Sequence, residues 1–280
     1  MSEHLNHYRP SVFHARRERV RRQEFYGHRA EVTPVSSPGE TSARRAYEML
    51  RTLLRSGELT TRDALAEDSL AVTLGASRNA VRKALQQLAD EGLLIRQTKS
   101  GTRLVHEMIH VDGGQVVPRG MALGADRGRL CIEQTRTERV ILSPVVRKRL
   151  ETEARIGVLS ESRFHVDDAP ISLRVGYVAG DPDLVQKALR AFGTVNPPPY
   201  EEAFRQLYGA PFGSSHSTIE AIRCEARTAA ILGVDEGAPI LLNEVLVRDV
   251  DGVARELSYT YYRSDRVAIS SMSSSLPHAV

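Results

Sequence analysis

The sequence predicts an α+β chain in two parts: an N-terminal winged helix-turn-helix, then a larger domain with a mostly antiparallel sheet. Three observations carry this. Apolar residues recur at helical spacing in three short segments between 42 and 90, each followed by a glycine. Two short strand-like segments then flank a polar tip at 98–101. From about residue 129 the period switches from helical to two, and six alternating runs follow, with helical segments between them.

In the first part, residues 42–56 form a helix with Tyr47, Leu50, Leu53 and Leu54 on one face, stopped by Gly57. A second helix covers 65–73, with Leu65, Leu70 and Leu74 apolar, and Gly75-Ala76-Ser77 is the turn. The third helix runs from 78 to 90 and stops at Gly92. Val81, Ala84, Leu85 and Leu88 share its inner face; Arg78, Asn79, Arg82, Lys83 and Gln86 lie outside. Ser77 stands at the N-cap. Arginine can make two bonds to a guanine edge, and Asn or Gln two to adenine, so such a helix suits the major groove. Alone it reads more readily as a solvated amphipathic helix. The preceding helix and the Gly75 turn supply helix-turn-helix spacing. Strands at 93–97 and 102–105 place Lys99, Ser100, Gly101 and Thr102 at the tip of a wing.

Composition is that of ordinary globular domains, 41% hydrophobic and 26% charged over 280 residues, which accommodates two of them. Net charge is +3, unevenly spread: residues 1–105 hold 18 Lys+Arg against 12 Asp+Glu, and 106–280 hold 20 against 23. The excess favours a polyanion partner for the first part, and is also what a solvated surface looks like. Residues 1–39 read as a basic, flexible extension. No apolar run is long enough to span a membrane, and the N-terminus lacks a signal-peptide core, so a cytoplasmic protein with no membrane partner is expected. Cys131 and Cys224 sit in apolar, strand-like sequence without metal or disulfide spacing, and are expected to be inert buried thiols with no metal or cofactor.

The expected organisation is an extension over 1–39, the winged domain over 40–106, a glycine-rich linker over 107–125 and the second domain over 126–280. Strands are expected at 129–142, 156–166, 171–178, 214–224, 240–250 and 253–263, and helices near 144–152, 182–191, 200–208 and 225–232. Asp251-Gly252 is the strongest hairpin signal. Strand parity sets Ser172, Arg174 and Gly176 opposite Ile171, Leu173, Val175 and Tyr177. It also sets Arg163 and His165 opposite Phe164 and Val166.

The stretch Leu70-Ala-Val-Thr-Leu-Gly-Ala-Ser-Arg-Asn-Ala-Val-Arg-Lys-Ala-Leu-Gln-Gln-Leu-Ala-Asp-Glu-Gly-Leu-Leu94 resembles the DNA-binding domain of the GntR family. The resemblance implies base and phosphate contacts from Ser77, Arg78 and Arg82, and wing contacts around Gly101 and Thr102. Two departures stand out. Leu65-Ala66-Glu67-Asp68 replaces the usual Pro-Ser-Glu-Arg, so Asp68 takes the place of an arginine that commonly touches DNA. Lys99 takes the first glycine of the usual Gly-x-Gly-Thr wing.

The second part resembles the UTRA effector-binding domain of the HutC subfamily. The carrying residues are Arg163-Phe-His-Val-Asp-Asp-Ala-Pro170, Tyr200 to Gly209, Ile219-Glu-Ala-Ile222, and Ile240-Leu-Leu-Asn-Glu through Asp251 to Arg266. The resemblance implies a chorismate-lyase-like α+β fold. It also implies a pocket in which Arg163 and His165 stand for an Arg-x-Arg pair, and Glu256 and Tyr262 for a glutamate and a tyrosine six residues apart; Tyr200 matches a further pocket position. His165 replaces the second arginine, and Arg174 falls where sugar-phosphate binders often carry glutamate. The ligand expected is therefore one with an anionic or carbonyl group, oriented by Arg163 and Arg174.

Together these features point to a transcription regulator: a homodimer on a palindromic double-stranded operator, most simply a repressor released by a small-molecule effector. Two other classes fit parts of the sequence. One is a DNA-binding dimer whose second domain no longer binds a ligand. The other is a lyase-like enzyme, resting on shared fold alone, for which the residues offer no convincing nucleophile–base pair.

Overall fold

Each helix of the head buries one stripe, and the stripes meet in one core. The computed structural model describes residues 43–97, 101–112, 130–166, 168–179, 183–184 and 200–271. The expected extension over 1–39, the wing-tip residues Lys99 and Ser100, and most of the helix near 182–191 lie outside them. In the head, α1 (Ala43–Ser56), α2 (Glu67–Leu74) and α3 (Arg78–Asp90) contribute Ala46, Leu50, Leu54, Leu70, Leu74, Val81, Ala84, Leu85 and Leu88 to the core. Each fully buried leucine contributes about 1.5–3 kcal/mol. Tyr47 and Leu53 sit at the core's margin. The Tyr47 hydroxyl donates to Glu91 Oε1 at 2.8 Å and accepts from Arg51 Nη1 at 2.7 Å.

Gly75 ends α2 with φ +57°, a left-handed conformation that costs glycine little. Ser77 then caps α3, its hydroxyl accepting from the Ala80 N–H at 3.2 Å. The start of α2 lacks such a cap. Leu65 is not helical; it is buried ahead of the helix, and its N–H donates to the Thr102 carbonyl at 2.9 Å. Ala66 occupies the N-cap in an extended conformation with no side-chain oxygen to offer. Ala66→Ser is therefore expected to stabilise the protein by about 1 kcal/mol, read as a higher urea midpoint at unchanged slope. No gain would mean that the free N–H groups of α2 are already satisfied.

The wing is β1 (Leu94–Gln97) paired antiparallel with β2 (Gly101–Leu104). Downstream come β3 (Ile109–Asp112), β4 (Leu130–Ile141), α4 (Pro144–Arg149), β5 (Ile156–Val166), β6 (Ala169–Ala179) and α5 (Tyr200–Tyr208). The chain continues with β7 (Phe212–Arg223), α6 (Ala226–Leu232), β8 (Pro239–Asp249), β9 (Ala254–Arg263) and β10 (Val267–Ser270). Six strands form one sheet in the order β4-β5-β6-β9-β8-β7, every pair antiparallel. Helices α4 and α6 cover one face, where Leu142, Val146 and Leu150 meet Leu246 and Leu257, and Ala229 meets Ile240. Helix α5 covers part of the other, with Tyr200 and Phe204 against Val245 and Val247. At the Asp251-Gly252 turn, Asp249 Oδ1 accepts from the N–H groups of Asp251 and Val253.

Two features differ from expectation. Cys131 is exposed, because β4 is an edge strand, whereas Cys224 is buried as expected. The segment expected to be linker contains β3, which pairs in parallel with β10. Its alternation is functional in packing terms: Ile109 and Val111 are buried with Phe164, Ile171, Tyr262 and Val267. Between them His110 points the other way, its Nε2 2.6 Å from the Arg55 carbonyl at the end of α1. Ala268 of β10 packs against the core of the head.

Candidate functional site

The outer face of α3 is the first candidate surface. Arg78, Asn79, Arg82, Lys83 and Gln86 are all exposed, while Ala80, Val81, Ala84, Leu85 and Leu88 are buried. The exposed arginines are not idle. Arg82 donates to Glu67 Oε2 through Nε at 3.0 Å and Nη2 at 2.9 Å. Arg96 of the wing reaches the same carboxylate at 3.1 Å. These bonds, Arg82's first, hold the Glu67 carboxyl below the usual carboxylate range. Arg78 Nε lies 2.5 Å from Asp68 Oδ1. Thus α2 presents two carboxylates to two arginines of α3, an arrangement the helix pattern of α3 alone does not reveal.

Of the wing residues, Gly101 is exposed with φ +80°, a position suited to glycine. Thr102 is buried, and its carbonyl accepts from Leu65, so its place is structural: it ties the wing to the start of α2.

The second candidate lies on the sheet. Cross-strand partners share a face. Ser162 pairs with Arg174 and Arg174 with Thr260; Ser172 pairs with Tyr262, Gly176 with Ser258, and Val247 with Glu256. This sets Ser162, Ser172, Arg174, Glu256, Ser258, Thr260 and Tyr262 on the face that α5 covers. Arg174 and Glu256 are 9% and 7% exposed and form a direct ion pair. Burial lowers the Arg174 pKa, opposed by Tyr200, Tyr208 and Tyr262 clustered near it. Burial likewise pushes the Tyr262 hydroxyl up to about 12. Gly176 leaves room for the ion pair: a Cβ there would lie 3.0 Å from Arg174 Nη1 and 3.3 Å from Glu256 Oε1.

The six pocket residues named from sequence do not all converge. Arg163 pairs with Leu173, so it and His165 fall on the opposite face from Arg174, Glu256 and Tyr262. Both engage Glu133 of β4: Arg163 Nη2 at 2.6 Å and His165 Nε2 at 3.3 Å from Oε2. The residues that face Arg174 from β5 are Ser162 and Phe164, and Phe164 packs beside Tyr262. A one-residue displacement along a strand moves a side chain to the other face. Tyr208 joins the cluster unforeseen; its place one helix length after Tyr200 is the signal that could have found it.

A basic, exposed recognition-type helix with a wing, joined to a sheet with a buried polar cluster, defines a DNA-binding regulator with a sensor domain. Residues 42–104 match the gntR family of bacterial regulatory proteins, and residues 132–268 match the UTRA domain. The chain is thus a GntR-family DNA-binding domain joined to a UTRA domain, a DNA-binding transcription regulator controlled by an effector. Among solved structures, PhnF from Mycobacterium smegmatis is 21% identical, covering 82% of this chain and 100% of its own, with a TM-score of 0.56. At that identity the likeness is one of fold. The possible transcriptional regulator YydK from Bacillus subtilis is 13% identical, covering 83% of this chain and 99% of its own, with a TM-score of 0.46. No curated protein matches the chain. Among the described residues no helix is long and apolar enough to cross a membrane.

Proposed function

We propose that the protein is a cytoplasmic, homodimeric repressor of the HutC type that leaves a palindromic operator when a small molecule binds its UTRA domain. The observation that carries the reading is the exposed face of α3, with Arg78, Asn79, Arg82 and Lys83 beside a wing on a helix-turn-helix scaffold. Those four side chains read base edges and phosphates, Ser77 sets the start of the helix, and the wing around Lys99, Ser100 and Gly101 follows the backbone. Two such helices on a two-fold axis require half-sites about one helical turn apart. The effector site is the sheet face carrying Arg174, Glu256, Tyr262 and Tyr200; Arg174 Nε has no partner there and suits a ligand carbonyl or hydroxyl.

Coupling runs through β3. Tyr262 belongs to the effector cluster and also packs with Ile109 and Val111, while His110 touches α1. A ligand that displaces Tyr262 therefore loads the strand that leads into the head. The test is genome-wide footprinting of the purified full chain, followed by titration of the protected sites. Inverted repeats with centres about 10 bp apart, or a multiple of that, are expected. Single, asymmetric half-sites would refute the two-fold arrangement.

A further inference from the structure

We infer that Glu256 is a built-in counter-ion that closes Arg174 to anions, so that the effector of this face is an uncharged, hydroxyl-bearing molecule such as a polyol or free sugar. The inference rests on the assignment of this face as the effector site.

Arg174 is the cation that the cross-strand register sets here, and it is already neutralised by Glu256, with both side chains about nine-tenths buried. A phosphate or carboxylate approaching Arg174 would have to share a poorly hydrated space with the Glu256 carboxylate, and like charges in such surroundings repel strongly. Neither Arg163 nor His165 offsets this, because both face away and engage Glu133.

What the face offers instead is hydroxyl chemistry. Ser172 Oγ and Ser258 Oγ are fully buried and, with Tyr208 OH and Arg174 Nε, lack a protein partner. Buried polar groups are rarely left in that state. Serine and tyrosine hydroxyls both donate and accept, so they match a ligand whose own groups do the same without charge. Phe164 and Tyr262 supply an apolar wall for its C–H surface.

The experiment is a thermal-shift series on the full chain at matched ionic strength, with inorganic phosphate, glucose, sorbitol and glucose 6-phosphate. Wild type is expected to be indifferent to phosphate and glucose 6-phosphate beyond their ionic strength. Glu256→Gln is expected to gain a rise of a few degrees with phosphate, because Arg174 is released. Adding Arg174→Met should abolish that gain. Stabilisation of wild type by glucose 6-phosphate but not by glucose, lost in Arg174→Met, would overturn the inference without needing the Glu256 variant to fold. So would a folded Glu256→Gln protein as indifferent to phosphate as wild type. Failure of the site assignment looks different: a compound that stabilises wild type and Arg174→Met, Tyr262→Phe equally binds elsewhere, whatever its charge.

Discussion

Replacing Arg82 by alanine is expected to weaken operator binding by roughly 5- to 150-fold at fixed salt, the cost of about 1–3 kcal/mol for one bidentate base contact. Arg82 is exposed on the outer face of α3, and its side chain is aimed by the hydrogen bonds it donates to Glu67 Oε2 rather than by burial. Its removal therefore leaves the head's core intact, and the melting temperature should hardly move. Asp68 gives the opposite expectation. Its carboxylate holds Arg78 at 2.5 Å on the surface proposed to meet DNA phosphates. Exposed ion pairs of this kind contribute little to stability. Asp68→Ala should therefore bind the operator more tightly and steepen the dependence of log K on log salt by up to about one phosphate contact. Anisotropy titrations over a salt series measure both. A weaker Asp68→Ala protein would mean that Asp68 orients Arg78 for the operator instead of competing with it.

Much of this was legible because periodicity reports burial directly. The inner face of α3 is where its 3.6-residue spacing puts it, and all six strands of the large sheet lie within two residues of their alternating runs. What could not be read was pairing. Parity within β5 correctly separates Arg163 and His165 from Phe164 and Val166, but only the alignment of β5 with β6 decides which set faces Arg174. A shift of register between Phe164 and His165 complicates that alignment further. The strand β3 escaped for a related reason. Four residues beside a glycine-rich stretch carry too little pattern, and the strand exists because β10 pairs with it. Cys131 has strand-like apolar neighbours, yet edge position exposes it. Thr102 sits in a wing motif that by resemblance implies DNA contact, yet it is buried, and its carbonyl accepts from the Leu65 N–H just ahead of α2.

The same strand makes the second large expectation. Ile109 is 6% exposed, packed with Phe164, Ile171, Tyr262 and Val267, and its N–H donates to the Arg266 carbonyl at 2.8 Å. Ile109→Ala deletes three carbons from that cluster and should cost about 2–5 kcal/mol, depending on how far the site collapses. The loss should not stay in the sensor. Because β3 turns Ile109 and Val111 into the sheet domain and His110 toward the Arg55 carbonyl, loosening it removes the brace on the end of α1 as well. Amide hydrogen exchange followed segment by segment reads this directly, since local opening free energies are resolved there. Faster exchange is expected in 109–112, in 267–270 and in the last turn of α1, with the centre of α3 unchanged. In the same variant the difference in operator affinity between ligand-free and ligand-bound protein, typically about 1–3 kcal/mol for such coupling, should shrink. Exchange confined to β3 and β10, with α1 as protected as before, would mean that the strand anchors the linker but carries nothing to the head.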